Sequence, residues 1–133
     1  MNDQLVQEWM TLHNNHEAYE RNALLIKLLA VVLAALMPLM GLNLVAVGLL
    51  LLVLWCQEAI LKTWQGRLSD RLLDIELALK TDSQVTCAPF QLHSRWSIAR
   101  PGLAGQVQVY AMSARRPTVA FPYSVLLLFL LVV

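Results

Sequence analysis

Charge is what this chain has least of. Ten basic and nine acidic residues are spread over 133, or 14% of the total, against roughly 25% in an ordinary soluble domain. Their balance of +1 leaves neither the basic surface of a nucleic-acid-binding protein nor an acidic tail. Two cysteines, Cys56 and Cys87, without C-x-x-C spacing exclude a disulfide framework and the usual zinc modules. There is no G-x-S-x-G elbow, no glycine-rich phosphate loop and no cysteine with an obviously placed histidine, so neither nucleophilic catalysis nor a bound cofactor is expected. No internal repeat occurs, and the length admits a single domain.

What is there is apolar: 58% of the residues are hydrophobic and the mean hydropathy is +0.57, which points to lipid. From Ala23 to Cys56, 34 consecutive residues carry one charge, Lys27. One helix of that length would reach about 51 Å, well beyond a hydrocarbon core of roughly 30 Å. The run must therefore fold back, and Pro38, Gly41 and Asn43 write a turn at its middle. Two antiparallel spans result, Ala23 to about Met37 and Leu42 to Cys56. Each is about 15 residues, short of the roughly 20 that a span usually takes, so flanking turns help to cross or the bilayer thins. Lys27, one turn inside, can stretch its ammonium back to the headgroups. Trp55, on the same side, suits an interfacial anchor. A cleaved secretory signal fits poorly, because Asp3, Glu8, Glu17 and Glu20 precede the apolar run.

A third apolar run, Val119 to Val133, follows Arg115 and Arg116, which stand as a positive stop would. Pro117 and Pro122 suit a helix start better than a helix interior. A third membrane segment is expected over 118–133, with a re-entrant or interfacial segment as the alternative. All ten basic residues lie outside the Pro38 to Asn43 turn, so the hairpin tip is expected to face away from the cytoplasm of a bacterial inner membrane. The amino terminus and residues 57–116 would then be cytoplasmic, and Cys56 and Cys87 reduced.

Outside the apolar run, Leu5, Trp9, Leu12, His16, Tyr19 and Ala23 follow spacings of 4, 3, 4, 3 and 4. Leu61, Trp64, Leu68, Leu72, Ile75 and Leu79 follow 3, 4, 4, 3 and 4. The two arms are nearly equal in reach, which predicts an antiparallel helical stalk over residues 1–80 that continues the hairpin. Glu17 and Glu20 would lie at about the height of Arg67 and Lys62. Residues 81–117, with Pro89, Pro101, Gly102 and Gly105, read as a basic, irregular loop with one short helix lying on the headgroups, or else as an ordinary solvated connection. Its Arg95, Trp96 and Arg100 are residue types that favour a headgroup surface.

His13, His16, Glu17 and Glu20 share a helix face and form the one constellation with metal-ligand spacing. The facing arm offers no matching cluster, and packing plus salt bridging is the simpler reading, so no metal is expected. No ionisable group lies near the midplane of either span, which argues against a carrier. Ala30, Ala34, Ala35, Ala46 and Gly48 would let helices approach closely, within or between hairpins.

The segment Trp55-Cys56-Gln57-Glu58-Ala59-Ile60-Leu61, running into Arg71-Leu72-Leu73-Asp74-Ile75-Glu76 and later Phe121-Pro122-Tyr123, resembles uncharacterised small bacterial membrane proteins. In those a two-span hairpin continues into a charged helix and a further apolar segment follows. The arrangement is more distantly similar to the SLATT two-span domains, thought to act as membrane-disrupting effectors in bacterial conflict systems; this chain lacks their attached sensor domain.

The expectation is an all-α membrane protein: a transmembrane helical hairpin, a cytoplasmic antiparallel stalk and a C-terminal third hydrophobic segment. Its expected role is non-enzymatic, as an oligomeric or accessory component of a homo-oligomer or larger membrane complex. Partners would dock on the stalk seam of Trp9, Leu12, His16, Tyr19, Trp64, Leu68, Leu72 and Ile75. Lys27, Trp55, Trp96, Arg115 and Arg116 would mark the membrane interface. The alternative, which the resemblance implies, is a pore-forming effector.

Overall fold

The computed structural model describes residues 2–81 and 88–132. These residues form five helices and no strand: α1 (Asn2–Leu39), α2 (Leu44–Thr81), α3 (Leu92–Ala99), α4 (Leu103–Ala114) and α5 (Pro117–Val132). Helices α1 and α2 have 38 residues each, roughly 57 Å at 1.5 Å per residue, and they form one antiparallel hairpin. Its turn falls where the proline, glycine and asparagine were expected to place it. Gly41 N donates to Pro38 O at 3.0 Å and Leu42 N to Met37 O at 3.2 Å. This pair of bonds satisfies the last carbonyls of α1 and needs a left-handed residue at Gly41, whose φ is +72°. Asn43 then caps α2, its Oδ1 accepting from Val45 N at 2.9 Å.

Neither helix breaks where the apolar run gives way to polar sequence. In α1 the residues that are buried or half-buried on the inner face run Leu5, Trp9, Leu12, His16, Tyr19, Ala23, Ile26, Ala30, Leu33 and Met37. In α2 they run Val47, Leu51, Leu54, Glu58, Leu61, Gln65, Leu68, Leu72 and Ile75. Both series alternate steps of 4 and 3, the seven-residue period that keeps one face toward a partner helix over a long distance. The α2 series corrects the expected seam: Trp64 is 47% exposed and Gln65, at 6%, takes its place. Hydrophobicity favoured the tryptophan, but the strict period favours its neighbour.

Two cores form along this seam. In the polar half Leu5, Leu12, Leu72, Ile75 and Ala78 pack together, flanked by Trp9, Leu68 and Leu92. In the apolar half Ala30, Ala34, Val47 and Leu51 pack with Tyr123 and Leu130 of α5. Small alanines on α1 leave the space that α5 needs to seat against both long helices. Pro117 opens α5 as its chemistry suggests, whereas Pro122 lies inside the helix, contrary to expectation. There its ring removes only the bond that its N–H would make to the Thr118 carbonyl.

Within the expected loop of 81–117, the described residues 88–117 are also more regular than their lack of period suggested, with helices over 92–99 and 103–114. Eight- and twelve-residue helices interrupted by Pro101 and Gly102 are too short to display a period. Helix α4 packs on α2 and turns into α5 through a 71° bend at Arg115 and Arg116. Cys56 is an exposed free thiol, and Cys87 lies outside the described residues. Helices α1 and α2 are long and apolar enough to cross a membrane, and the bent α4–α5 pair would make a third crossing if taken as one span.

Candidate functional site

Where the apolar and polar halves meet, three helices converge on one carboxylate. Glu58 occupies an inward position of the α2 period and is completely buried. Its Oε1 lies 3.0 Å from Lys27 Nζ of α1, an ion pair without hydrogen-bond alignment. Its Oε2 accepts from the Tyr123 hydroxyl of α5 at 3.0 Å. Lys27 therefore turns inward to a carboxylate instead of reaching for headgroups, and its side chain is 23% exposed. The phenol ring of Tyr123 stacks on Trp55, centroids 5.9 Å apart and planes within 5°. Trp55 Nε1 donates to the Ala114 carbonyl at 3.1 Å. One turn further along α2, Thr63 Oγ1 donates to the Ala59 carbonyl at 2.9 Å and is hydrogen bonded with Ser113 Oγ of α4 at 2.8 Å. The α4–α5 bend is thus pinned to the hairpin by a phenol, an indole and a hydroxyl pair.

A second buried charge pair sits in the polar half. Arg71 Nε and Nη2 donate to Glu8 Oε1 and Oε2 at 2.9 and 3.2 Å, a two-pronged contact with both side chains under 10% exposed. Arg71 Nη2 also donates to the Ala88 carbonyl at 2.9 Å, and Phe90 N donates to Glu8 Oε2 at 2.8 Å. The turn that leads into α3 is held through these backbone bonds, with Phe90 in the left-handed region at φ +61°.

Between the two pairs lies a polar rung. Lys62 Nζ donates to Glu20 Oε2 at 2.7 Å and to Gln65 Oε1 at 2.9 Å, while Gln65 Nε2 donates to the same Glu20 oxygen at 2.7 Å. The Lys62 and Gln65 hydrogen bonds hold the Glu20 carboxyl below its ordinary range. The expected Glu20–Lys62 height match holds. Glu17 and Arg67 take other partners: Glu17 pairs with His13 at 3.3 Å, while Arg67 lies over the Trp96 ring at 4.6 Å. With Glu20 drawn across to α2, the four residues with metal-ligand spacing do not gather into one site.

The expected seam residues divide into two groups. Leu12, Leu72 and Ile75 are buried within the hairpin's own core. Trp9 is partly buried, donates from Nε1 to Glu76 at 3.2 Å and stacks on His13; His16 lends its carbonyl to Gln65 at 3.4 Å. Tyr19, Trp64 and Leu68 instead line a groove of about 250 Å³ with Arg67, Leu92, His93 and Trp96. Trp96 is held between Arg67 and Arg100, whose guanidinium carbons lie 4.6 and 5.0 Å from the ring centroid. Arg95 pairs with Asp74 at 2.6 Å. These contacts turn Arg95 and Trp96 toward the stalk, not toward a surface of their own. Arg115 and Arg116 stand exposed at the bend.

Sequence reasoning missed Glu58, Gln65, Arg71 and Glu8 as buried residues. The available signal was positional: Glu58 and Gln65 are spaced by seven from Leu51 and Leu72. Chemically, the arrangement offers charge neutralisation and helix registration, with an aromatic groove beside it. No protein-family model matches the chain, and no curated protein or solved structure matches it.

Proposed function

We propose that this is an integral membrane protein that acts without catalysis, presenting a helical stalk to partners in an oligomer or a larger membrane complex. The observation that carries the reading is the outer surface of the apolar half. Leu25, Val32, Val53 and Leu128 are 58, 49, 62 and 62% exposed, as are most of their aliphatic neighbours. A water-facing surface of that extent would be an aggregation liability; lipid is the solvent that fits it. Charge neutralisation supports the same reading, since Lys27 and Glu58 sit at the edge of this zone and cancel each other there. In the polar half Leu12, Leu72 and Ile75 are consumed by the hairpin, which leaves the groove of Tyr19, Trp64 and Trp96 as the partner surface. The absence of basic residues from the turn favours a cytoplasmic stalk in a bacterial inner membrane.

Membrane residence is tested by alkaline carbonate extraction of the expressed chain: the protein should stay in the pellet, and release would sink the proposal. Docking is tested with a photo-crosslinking side chain in place of Trp64. Adducts to another polypeptide should form there and be absent for the same group at Ile75, which is fully buried. Depolarisation of cells on overproduction would instead support a pore-forming effector.

A further inference from the structure

We infer that α4 is an interfacial helix whose apolar flank rests on the membrane surface and whose arginine flanks select anionic lipid headgroups. This inference rests on the membrane reading above. Helix α5 lies along the apolar half of the hairpin, with Tyr123 beside Glu58 and Leu130 beside Val47 and Leu51. The 71° bend turns α4 out of the α5 direction, so α4 does not continue α5 as a straight span. Its level is fixed by Trp55, a residue type that favours the interface, through the bond to the Ala114 carbonyl.

The composition of α4 suits that position. Its twelve residues include no charge, while Arg100 precedes it and Arg115 and Arg116 follow it. Leu103, Val107 and Ala114 fall on one side of the helix, and the first two are 83 and 66% exposed. Water gains nothing from covering that flank, and a charge-free helix between cations is complementary to an apolar boundary lined with phosphates. The Glu58 carboxylate is already committed to Lys27 and Tyr123, so it does not serve the arginines at the bend.

The test uses the full chain in nanodiscs, with Cys56→Ser and Cys87→Ser and a single fluorophore-bearing cysteine at Val107, Ser97 or Leu128. The Val107 label should be quenched by lipid carrying a shallow nitroxide and sheltered from aqueous iodide. The Ser97 label should respond to iodide and the Leu128 label to a deep nitroxide. Iodide access at Val107 with Leu128 still deep would overturn this inference alone; iodide access at Leu128 would overturn the membrane reading. Shelter of Val107 that appears only at high protein density would assign the flank to a second copy and also overturn the inference. In discs mixing phosphatidylglycerol with phosphatidylcholine, Arg115→Gln and Arg116→Gln should each lower the preference for the anionic lipid about fivefold. An unchanged preference would overturn the headgroup contact.

Discussion

The Glu8–Arg71 and Lys27–Glu58 pairs both bury a carboxylate beside a cation, yet they are completed differently. Arg71 offers a planar fork that engages both oxygens of Glu8, and the remaining capacity of the pair is taken by backbone at Ala88 and Phe90. Lys27 offers a single ammonium to one oxygen of Glu58, and the other oxygen waits for a phenol from α5. In each case a charge pair across the hairpin is finished by a group from the second half of the chain. The first fastens the start of α3 through main chain, which tolerates side-chain change; the second fastens α5 through one side chain. Buried ion pairs contribute little net stability by themselves. Their effect here is to make the two helices meet in one register and to give α3 and α5 one place to attach.

The comparison can be broken most severely at the polar end. Glu8→Ala removes the carboxylate that both prongs of the buried Arg71 engage and should cost about 3 kcal/mol in denaturant-dependent unfolding of the detergent-solubilised chain. Adding Arg71→Met to Glu8→Leu should recover most of that loss, because the pair is then replaced by apolar side chains of similar size. Lys27→Met should cost less, about 2 kcal/mol, since its side chain is 23% exposed and only one contact is lost. If it costs more than Glu8→Ala, the ranking of the two pairs is wrong.

Tyr123→Phe sharpens the contrast, because it removes the closing group and leaves the pair intact. We expect a loss of about 2 kcal/mol and faster amide exchange over 117–132, with exchange over 3–22 unchanged. Trp55→Phe keeps an aromatic ring beside Tyr123 and deletes only the bond to Ala114, for about 1 kcal/mol. The smallest effect belongs to the exposed rung. The Glu20 carboxyl is held below its ordinary 4.5 by Lys62 and Gln65, so its contribution is complete above about pH 4.5. It is lost as the pH falls through the lowered value. The stability gap between wild type and Glu20→Gln should close over that interval, and a gap that persists at pH 2 would mean that another effect of the substitution dominates.

The hairpin was legible because its signals are local and repeated. A proline, a glycine and an asparagine in six residues turn the chain, and the α1 seam from Leu5 to Ala23 extends unchanged to Met37. The α2 seam was read one residue off at Trp64 because an apolar pattern cannot count Gln65 as an inward residue, although Lys62 and Glu20 satisfy it there. Glu58 and Arg71 were illegible as buried residues for a related reason. Their partners Tyr123 and Ala88 lie 65 and 17 residues away, and neither pairing leaves a trace in local spacing. Only one short helix was read where α3 and α4 form, because each is too short to set its own period, and both make contacts with α2. The groove of Tyr19, Trp64 and Trp96 likewise needs three helices to exist.

On the proposed topology, the Gly41 turn has a consequence for how the protein could be addressed. It closes within a few residues, offers Asn43 as its polar side chain and spends that group on capping α2. A soluble ligand arriving at the loop would find carbonyls and aliphatic tips, with no ionic handle. Anything sensing this hairpin through its apolar half must do so sideways, by sliding up to it as a neighbour in the lipid.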